Sequence, residues 1–347
     1  MKNFPPVSIC IPTYNGASYL KETLECAIHQ TYKNIEIVIT DDNSSDETVA
    51  ICTSYAQKDN RIKFFQNKTN LGLKGNWCEV IDRTSEKSEW IKFLFQDDLM
   101  ELTTVEKMIT SALTNNVDFV LCDRTYIFEK SVSKKIRKSY ARIPKTEEIF
   151  HKSKVYSPAE TAKLIHKFSL HNCLGEPPCI FFKKSTYSHS DYPSEFIQLI
   201  DYVFILEKIL VNDFYFFNEK LVKFRVHDSS QTSKNTNSKE FSLKNLHKTI
   251  HVHYYEKIKL CYLILTNNKY VQLKHFFSET KILNIIQFLF YKSLYKNPNY
   301  IDEIIHFYEG TELHLKLRLN NKHPRNIYFN YKIKKHSISR TRKRYKL

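Results

Sequence analysis

Glycine is scarce in this chain. Its 347 residues include only five, too few for loops that cradle phosphates with backbone amides, and neither GxGxxG nor GxxxxGK[ST] occurs. A phosphate group bound here would have to be neutralised by a metal ion and a few cationic side chains. Long apolar runs are also missing. No stretch of 18 or more apolar residues occurs, which excludes a spanning helix from the sequence pattern. The opening MKNFPPVSICIP goes straight into a strand pattern, without the apolar core and small-residue cleavage site of a signal peptide, so a cytosolic setting is expected. The eight cysteines (10, 26, 52, 78, 122, 173, 179 and 261) stand singly, with no CxxC pair. Most lie in apolar runs and read as reduced, buried thiols, not as a disulfide frame or a zinc site.

What is present divides the chain. Hydrophobic residues make up 42% and charged residues 26%, enough for one large α/β domain with an appendage, or for two domains. The net charge of +16 is unevenly spread. Residues 1–120 carry 12 Lys/Arg against 17 Asp/Glu (net −5), residues 121–240 carry 20 against 14 (net +6), and residues 241–347 carry 21 against 6 (net +15). The basicity therefore belongs to the C-terminal third. It suggests an anionic surface, membrane headgroups or nucleic acid.

The first 123 residues alternate strand and helix patterns. Strands are expected at 7–11, 35–40, 61–66, 90–96 and 117–122. Helices are expected at 18–30, from Asp46 and Glu47 onward, at 75–84 and at 103–115. Such alternation builds a parallel sheet with helices on both faces, and ligands in such sheets bind beyond the carboxyl ends of the strands. Residues 124–156 read as a basic, irregular insert. Ser157-Pro158-Ala159-Glu160 opens a helix with a capping box and Pro at its first position. Strands are expected again at 179–184 and 221–226, with a helix at 201–211 between them.

Two carboxylate pairs fall at strand ends: Asp41-Asp42 after IEIVIT, and Asp97-Asp98 in FLFQDDL. The plain reading is that each caps the helix after it. The chemical reading is a divalent cation, Mn²⁺ or Mg²⁺, held by one or two carboxylates with phosphate oxygens and water completing the shell. Asp97 and Asp98 suit it, because a cation would relieve their mutual repulsion.

VSICIPTYNGASYLKETLECAIHQTYKNIEIVITDDNSSDET resembles the opening of family 2 glycosyltransferases of the GT-A fold: a strand, P-x-Y-N, a helix ending near Q-T-Y, a second strand and D-D-x-S-x-D-x-T. QDD at 96–98 takes the place of that family's DxD. The resemblance covers residues 5–123 closely and 175–230 more loosely, and leaves out the C-terminal third.

It implies a Rossmann-like, mixed but mainly parallel sheet flanked by helices, and an inverting transfer from a nucleotide-sugar donor. Pro12 and Tyr14 would border the nucleotide, with Tyr14 against the base. Asp42 would accept a hydrogen bond from the base, with Asp41 beside it. Asp97 would face the ribose or the metal, and Asp98 would ligate the metal. NLGLKGN at 70–76 matches the family's segment before the third helix, but reads Gly75-Asn76 where many members carry Arg-Asn. That departure leaves Lys74 as the nearby cation for the nucleotide, with an ordinary solvated lysine as the alternative.

YPSEFIQLID at 192–201 matches the segment that ends in the family's catalytic base, which makes Asp201 the base and Glu195 a runner-up for acceptor contact. The residue before Asp201 is Ile200, where the family has an acid, and a plain helix cap is the competing reading. LVKFRVHDSSQTS at 221–233 resembles the family's R-x-H strand. There Arg225 would hold the donor phosphates or support the base, and His227 would be a metal ligand or phosphate contact, against a merely structural histidine. Gly175 and Glu176-Pro177-Pro178 stand where the family has an acceptor-lining turn. The tryptophans are Trp77 and Trp90 alone, so the Q-x-x-R-W of processive members is absent and single-sugar transfer is expected.

The C-terminal third is expected to be helical, aromatic and basic. It either packs with a solvated basic face or attaches the enzyme to an anionic membrane, with nucleic acid ranked last. The expected organisation is a GT-A catalytic domain at 1–235, with a nucleotide-binding half at 1–123 and an acceptor half at 124–235, and a basic helical region at 236–347. The expected activity is a metal-dependent transfer of one sugar, from a UDP-sugar by preference, to a glycan or lipid-linked glycan in bacterial capsule, lipopolysaccharide or exopolysaccharide synthesis. The enzyme would lie at the inner face of the cytoplasmic membrane. The alternatives are a nucleotidyltransferase, or a nucleotide-binding scaffold of the same fold that has lost transfer.

Overall fold

The computed structural model describes residues 4–166, 173–192, 196 and 199–227, and in the C-terminal third 256–257, 260–261, 263–264 and 267–276. The chain divides into one unit of 1–196 with 200–234 and a second of 197–199 with 235–347. Glu195, the polar stretch around 235, the aromatic segment 284–295 and the basic terminus 332–347 lie outside the described residues.

The first unit opens with β1 (Val7–Thr13), every residue of which is buried. It is flanked by parallel neighbours on both sides, as its unbroken apolar run requires. Helix α1 (Ala17–Ile28) turns Leu20, Leu24 and Ala27 inward at helical spacing. There follow β2 (Ile35–Asp41), α2 (Thr48–Lys58), β3 (Ile62–Gln66), α3 (Gly72–Asp82) and β4 (Trp90–Phe93). Asp46 and Glu47 precede α2 instead of forming its first turn. Asp46 caps it from outside, accepting from the Thr48 amide at 3.0 Å.

The polypeptide continues through β5 (Leu99–Met100), α4 (Thr104–Asn115), β6 (Phe119–Phe128), α5 (Lys134–Tyr140), α6 (Thr146–Ile149) and β7 (Lys154–Tyr156). The supposed irregular insert is thus a continuation of β6, two short helices and a strand. Helix α7 (Pro158–Ile165) begins as expected, with the Ser157 hydroxyl accepting from the Glu160 amide. The Glu160 carboxylate instead meets Lys154 at 2.7 Å, so only half of the capping box forms. β8 (Ile180–Lys183), α8 (Ile200–Val211) and β9 (Phe214–Val226) complete the unit.

Among the described residues nine strands form one sheet in the order β3-β2-β1-β4-β8-β6-β9-β5, with β7 on β9. The first four pair parallel, as does β6 with β9. β8 runs antiparallel between β4 and β6, and β5 and β7 pair antiparallel with β9. The sheet is therefore mixed, with its parallel half in the first hundred residues. None of the eight cysteines is joined in a disulfide, and all but Cys26 are buried.

Between the halves lies Lys92, wholly buried on β4. Its ammonium donates to the Pro178 carbonyl on the segment leading into β8, and burial lowers its pKa. In the second unit, the Leu199 amide donates to Glu256 at 2.7 Å. A 3₁₀ turn, Asn268–Tyr270, is capped by the Asn267 side chain and leads into a short helix, Val271–Lys274.

Candidate functional site

The loops after β1 and β2 are locked together by their own side chains. Asn15 and Asn43 both adopt the left-handed backbone region, φ 47° and 62°, where asparagine is among the more tolerant non-glycine residues. The Asn15 amide donates to the Ser44 hydroxyl at 2.8 Å, and the Asn15 side-chain oxygen accepts from the Ser45 amide at 2.9 Å. The Gly16 amide donates to the Thr48 hydroxyl at 2.8 Å, and the Ala17 amide to Asp46 at 3.1 Å. The two sequence motifs are thus partners, and much of D-D-N-S-S-D-E-T holds P-T-Y-N-G in place.

Asp41 is fully buried and belongs to this lock. It accepts from the Thr13 hydroxyl at 3.1 Å and from the Ser44 amide at 2.9 Å. Asp42 is nearly as buried and holds the next loop. Its two oxygens accept from the Asn67 side chain at 3.0 Å and from the Leu71 and Gly72 amides at 2.7 and 2.9 Å. In this structure its acceptor capacity goes to residues 67–72. Asn76 completes the frame, donating to the carbonyls of Thr13 at 3.1 Å and Thr40 at 3.2 Å. Pro12 is buried in β1, Tyr14 is 45% exposed, and Lys74 lies half-buried in the first turn of α3.

The strand before QDD stops at Phe93, and the next residues turn. Gln96 reaches back to the first motif: it accepts from the Tyr14 amide at 2.7 Å and donates to the Tyr14 carbonyl at 3.1 Å. A Cβ at Gly16 would collide with the Gln96 side chain, which explains that glycine by close approach.

Asp97 and Asp98 divide their work. Asp98 is fully buried; one oxygen accepts from the Arg225 amide at 2.8 Å, and the other has no hydrogen-bond partner among the described residues. Burial and the neighbouring Asp97 charge raise its pKa well above the usual carboxylate range. Asp97 is 20% exposed at its side chain and faces His227, whose Nε2 lies 2.9 Å from a carboxylate oxygen.

Arg225 is held from four sides. Its Nε donates to the Asp97 carbonyl at 2.9 Å, and its two Nη groups meet Glu129 at 2.8 Å and Glu22 at 2.7 Å. The Tyr19 ring carries its guanidinium at 4.6 Å and lies 4.8 Å from the His227 ring. The guanidinium is engaged by acids and a carbonyl in this structure. Its direct effect is to fix the turn that presents Asp97. No role was assigned from the sequence to Tyr19, Glu22, Gln96 or Glu129; the first three lie within the quoted motifs, and Glu129 carries no local signal.

The residues present fit a divalent cation. A buried carboxylate oxygen without a partner, a neighbouring carboxylate and an imidazole supply hard oxygen and borderline nitrogen donors. No three acidic, histidine or cysteine side chains close a cage among the described residues. That leaves the other positions to substrate oxygens and water.

Asp201 stands in the first turn of α8, with one oxygen accepting from the Tyr202 amide at 2.7 Å. The turn Glu176-Pro177-Pro178 precedes β8, and Glu176 pairs with buried Arg124 at 2.8 Å, in an orientation that makes no hydrogen bond.

Residues 8–174 match the family described as glycosyl transferase family 2. An uncharacterized glycosyltransferase of Rickettsia typhi is 32% identical over 252 residues, 68% of this chain and 69% of the relative. The crystal structure of S. aureus TarS 1–349 in complex with UDP-GlcNAc superposes with a TM-score of 0.61 at 17% identity, over 93% of this chain and 88% of that one. The mannosyltransferase PcManGT of Pyrobaculum calidifontis, in complex with GDP-Man and Mn²⁺, does so at 0.51 and 14%, over 92% and 80%. At those identities the structures speak for the fold. With its mixed, largely parallel sheet and the loops gathered at the strand ends, the chain belongs to glycosyl transferase family 2 and has the GT-A fold of a glycosyltransferase.

Proposed function

We propose that this enzyme transfers one sugar, with inversion, from a nucleotide-sugar to a glycan or lipid-linked glycan of a bacterial surface polysaccharide. The reading assigns residues 1–235 to catalysis and 236–347 to a basic region that attaches to anionic lipid. The observation that carries it is the Asp97–His227 pair, 2.9 Å apart and partly open at the strand ends, on a turn that Arg225 pins by backbone and side chain. Asp97 and His227 would hold Mn²⁺ or Mg²⁺, with Asp98 behind them. When bound, the ion would neutralise the charge that develops on the leaving diphosphate. The imidazole favours Mn²⁺ over Mg²⁺.

Tyr14 lies exposed beside this turn and offers a ring to the base. Asp41, Asp42 and Asn76 keep the surrounding loops in one arrangement. Asp201, opening α8, would take the proton from the acceptor hydroxyl as its oxygen attacks the anomeric carbon, a contribution of roughly 10²–10⁴-fold. Neighbours of the same fold were solved with UDP-GlcNAc and with GDP-Man, so a UDP-sugar is the first donor to try. The family match displaces the nucleotidyltransferase alternative.

The test is a panel of sugar nucleotides with Mn²⁺, read as nucleotide release. One donor should stand out and EDTA should abolish its turnover. Full activity after EDTA treatment would sink the metal role, and no release from any donor would favour the silent scaffold.

A further inference from the structure

One face of α1 is left unassigned by the donor site. Tyr19, Glu22 and Thr23 stand three and four residues apart within this helix, a spacing that puts them on one side. All three reach the Asp97–Asp98 turn or the strand end beside it. The buried Thr23 hydroxyl shares its proton between the Gln96 carbonyl at 2.9 Å and the Asp98 carbonyl at 3.0 Å. Glu22 meets Arg225 at 2.7 Å. Tyr19 lays its ring 4.6 Å from the Arg225 guanidinium and 4.8 Å from the His227 imidazole.

The plain account is a tyrosine that fills space beside an arginine. Three features separate it from that. First, the ring touches two side chains, not one. Arg225 and His227 are two residues apart where β9 runs out, a spacing that turns side chains of an extended chain to the same side. Second, His227 lies one residue past the last ladder pair of β9, Phe128 with Val226. The sheet therefore does not set its orientation, and the side chains against it matter more. Its Nε2 faces Asp97 at 2.9 Å while its ring lies on Tyr19. Third, the neighbours of Tyr19 on the same helix face brace the same turn, by backbone through Thr23 and by charge through Glu22.

We propose that Tyr19 is a positioning residue for the cation site: its ring braces the His227 imidazole so that Nε2 stays turned toward Asp97. This rests on the reading of Asp97 and His227 as the pair that holds the ion. A histidine side chain turns about two bonds. Holding it in one orientation before the ion arrives removes an ordering cost that binding would otherwise bear. Groups that orient a metal ligand from behind commonly contribute tenfold or more in affinity.

The experiment uses the full chain with UDP present and follows Mn²⁺ binding by electron paramagnetic resonance, which needs no turnover. Tyr19→Ala should weaken Mn²⁺ by roughly tenfold, and Tyr19→Phe, which keeps the ring, should restore most of it. His227→Ala should weaken Mn²⁺ too, and adding Tyr19→Ala to it should cost nothing more, because Tyr19 acts through the imidazole. An equal loss from Tyr19→Ala with and without His227 would overturn the role and leave a structural strut. In the metal-free chain, carbethoxylation of His227, read by mass spectrometry, should speed up several-fold in Tyr19→Ala but not in Tyr19→Phe. Exposed His151 should change little in either. Unchanged labelling of His227 would also overturn the role. Should Tyr19→Ala fail to fold, Tyr19→Leu, which fills the space without a flat face, replaces it in every comparison. A wild type that binds no Mn²⁺ overturns the ion reading and this role with it. A wild type that binds Mn²⁺ no better than the variant without the ring overturns this role alone.

Discussion

The loops at the ends of β1 and β2 and the segment after β6 are built on opposite plans. In the first, nearly every polar side chain is consumed internally. Asn15, Ser44, Asp46 and Thr48 bond to one another's loops, and Asp41 and Asp42 are buried under amides. In the second, a few inward contacts by Arg137 and Tyr140 support a row of outward cations. The difference is between a rigid cradle, whose members depend on one another, and a charged surface, whose members do not. A cradle fails when one member changes; the field of a charged surface falls only in proportion to the charges removed.

The sharpest way to break the comparison is at the tip of the cradle. Asp97→Asn keeps the shape and removes the charge that faces His227. Nucleotide release should fall on the order of a hundredfold or more, with an unchanged melting temperature. A mild loss there would shift the cation to Asp98. Asp201→Asn probes the proposed base instead of the cation. Transfer should drop by roughly 10²–10⁴-fold while UDP affinity is retained, because a base acts on the acceptor. Loss of UDP affinity together with lower stability would make Asp201 a helix cap.

A smaller effect is expected from Gly16→Ala. The new methyl displaces Gln96 from Tyr14, at a cost of about 1–3 kcal/mol by thermal melting. If the cradle is rigid, UDP affinity falls with it; unchanged affinity would show that the loops adjust.

The smallest and most specific effect concerns Lys92, at the seam between the two halves. Burial lowers its pKa, so below the folded pKa its charge costs stability. The unfolded chain binds the proton more readily, hence wild-type stability should climb as pH rises toward the ordinary lysine value of about 10.4. Lys92→Met removes that slope. The gap between the two melting curves should therefore narrow as pH rises from 7, and parallel curves would show that the ammonium is relieved in the folded state.

Much of the parallel half-sheet and of the loops at its strand ends was legible in the sequence. The apolar run at 7–11 and the alternation that follows fix a parallel half-sheet, because a strand buried on both faces reads as continuous hydrophobicity. The motifs P-T-Y-N-G, D-D-N-S-S-D-E-T and Q-D-D marked the loops, since they sit where strand carboxyl ends must gather. The reading failed where local pattern carries no information. The insert at 124–156 was not irregular, because β6 runs on to Phe128 through its pairing with β9, ninety residues downstream.

By itself, then, the sequence determined the alternating scaffold, the family and the chemical types at the site, since side-chain period, turn residues and motif spacing are local properties. The tertiary structure decided which carboxylate faces outward. Asp97 and Asp98 are adjacent and chemically identical; one is buried because the Arg225 amide, 127 residues away, donates to it, and the other meets His227. It also decided that Arg225 clamps the turn, because Glu22 and Glu129 converge on it from α1 and from the end of β6. Long-range pairings of this kind are set by packing, which brings together residues that no spacing in the sequence relates.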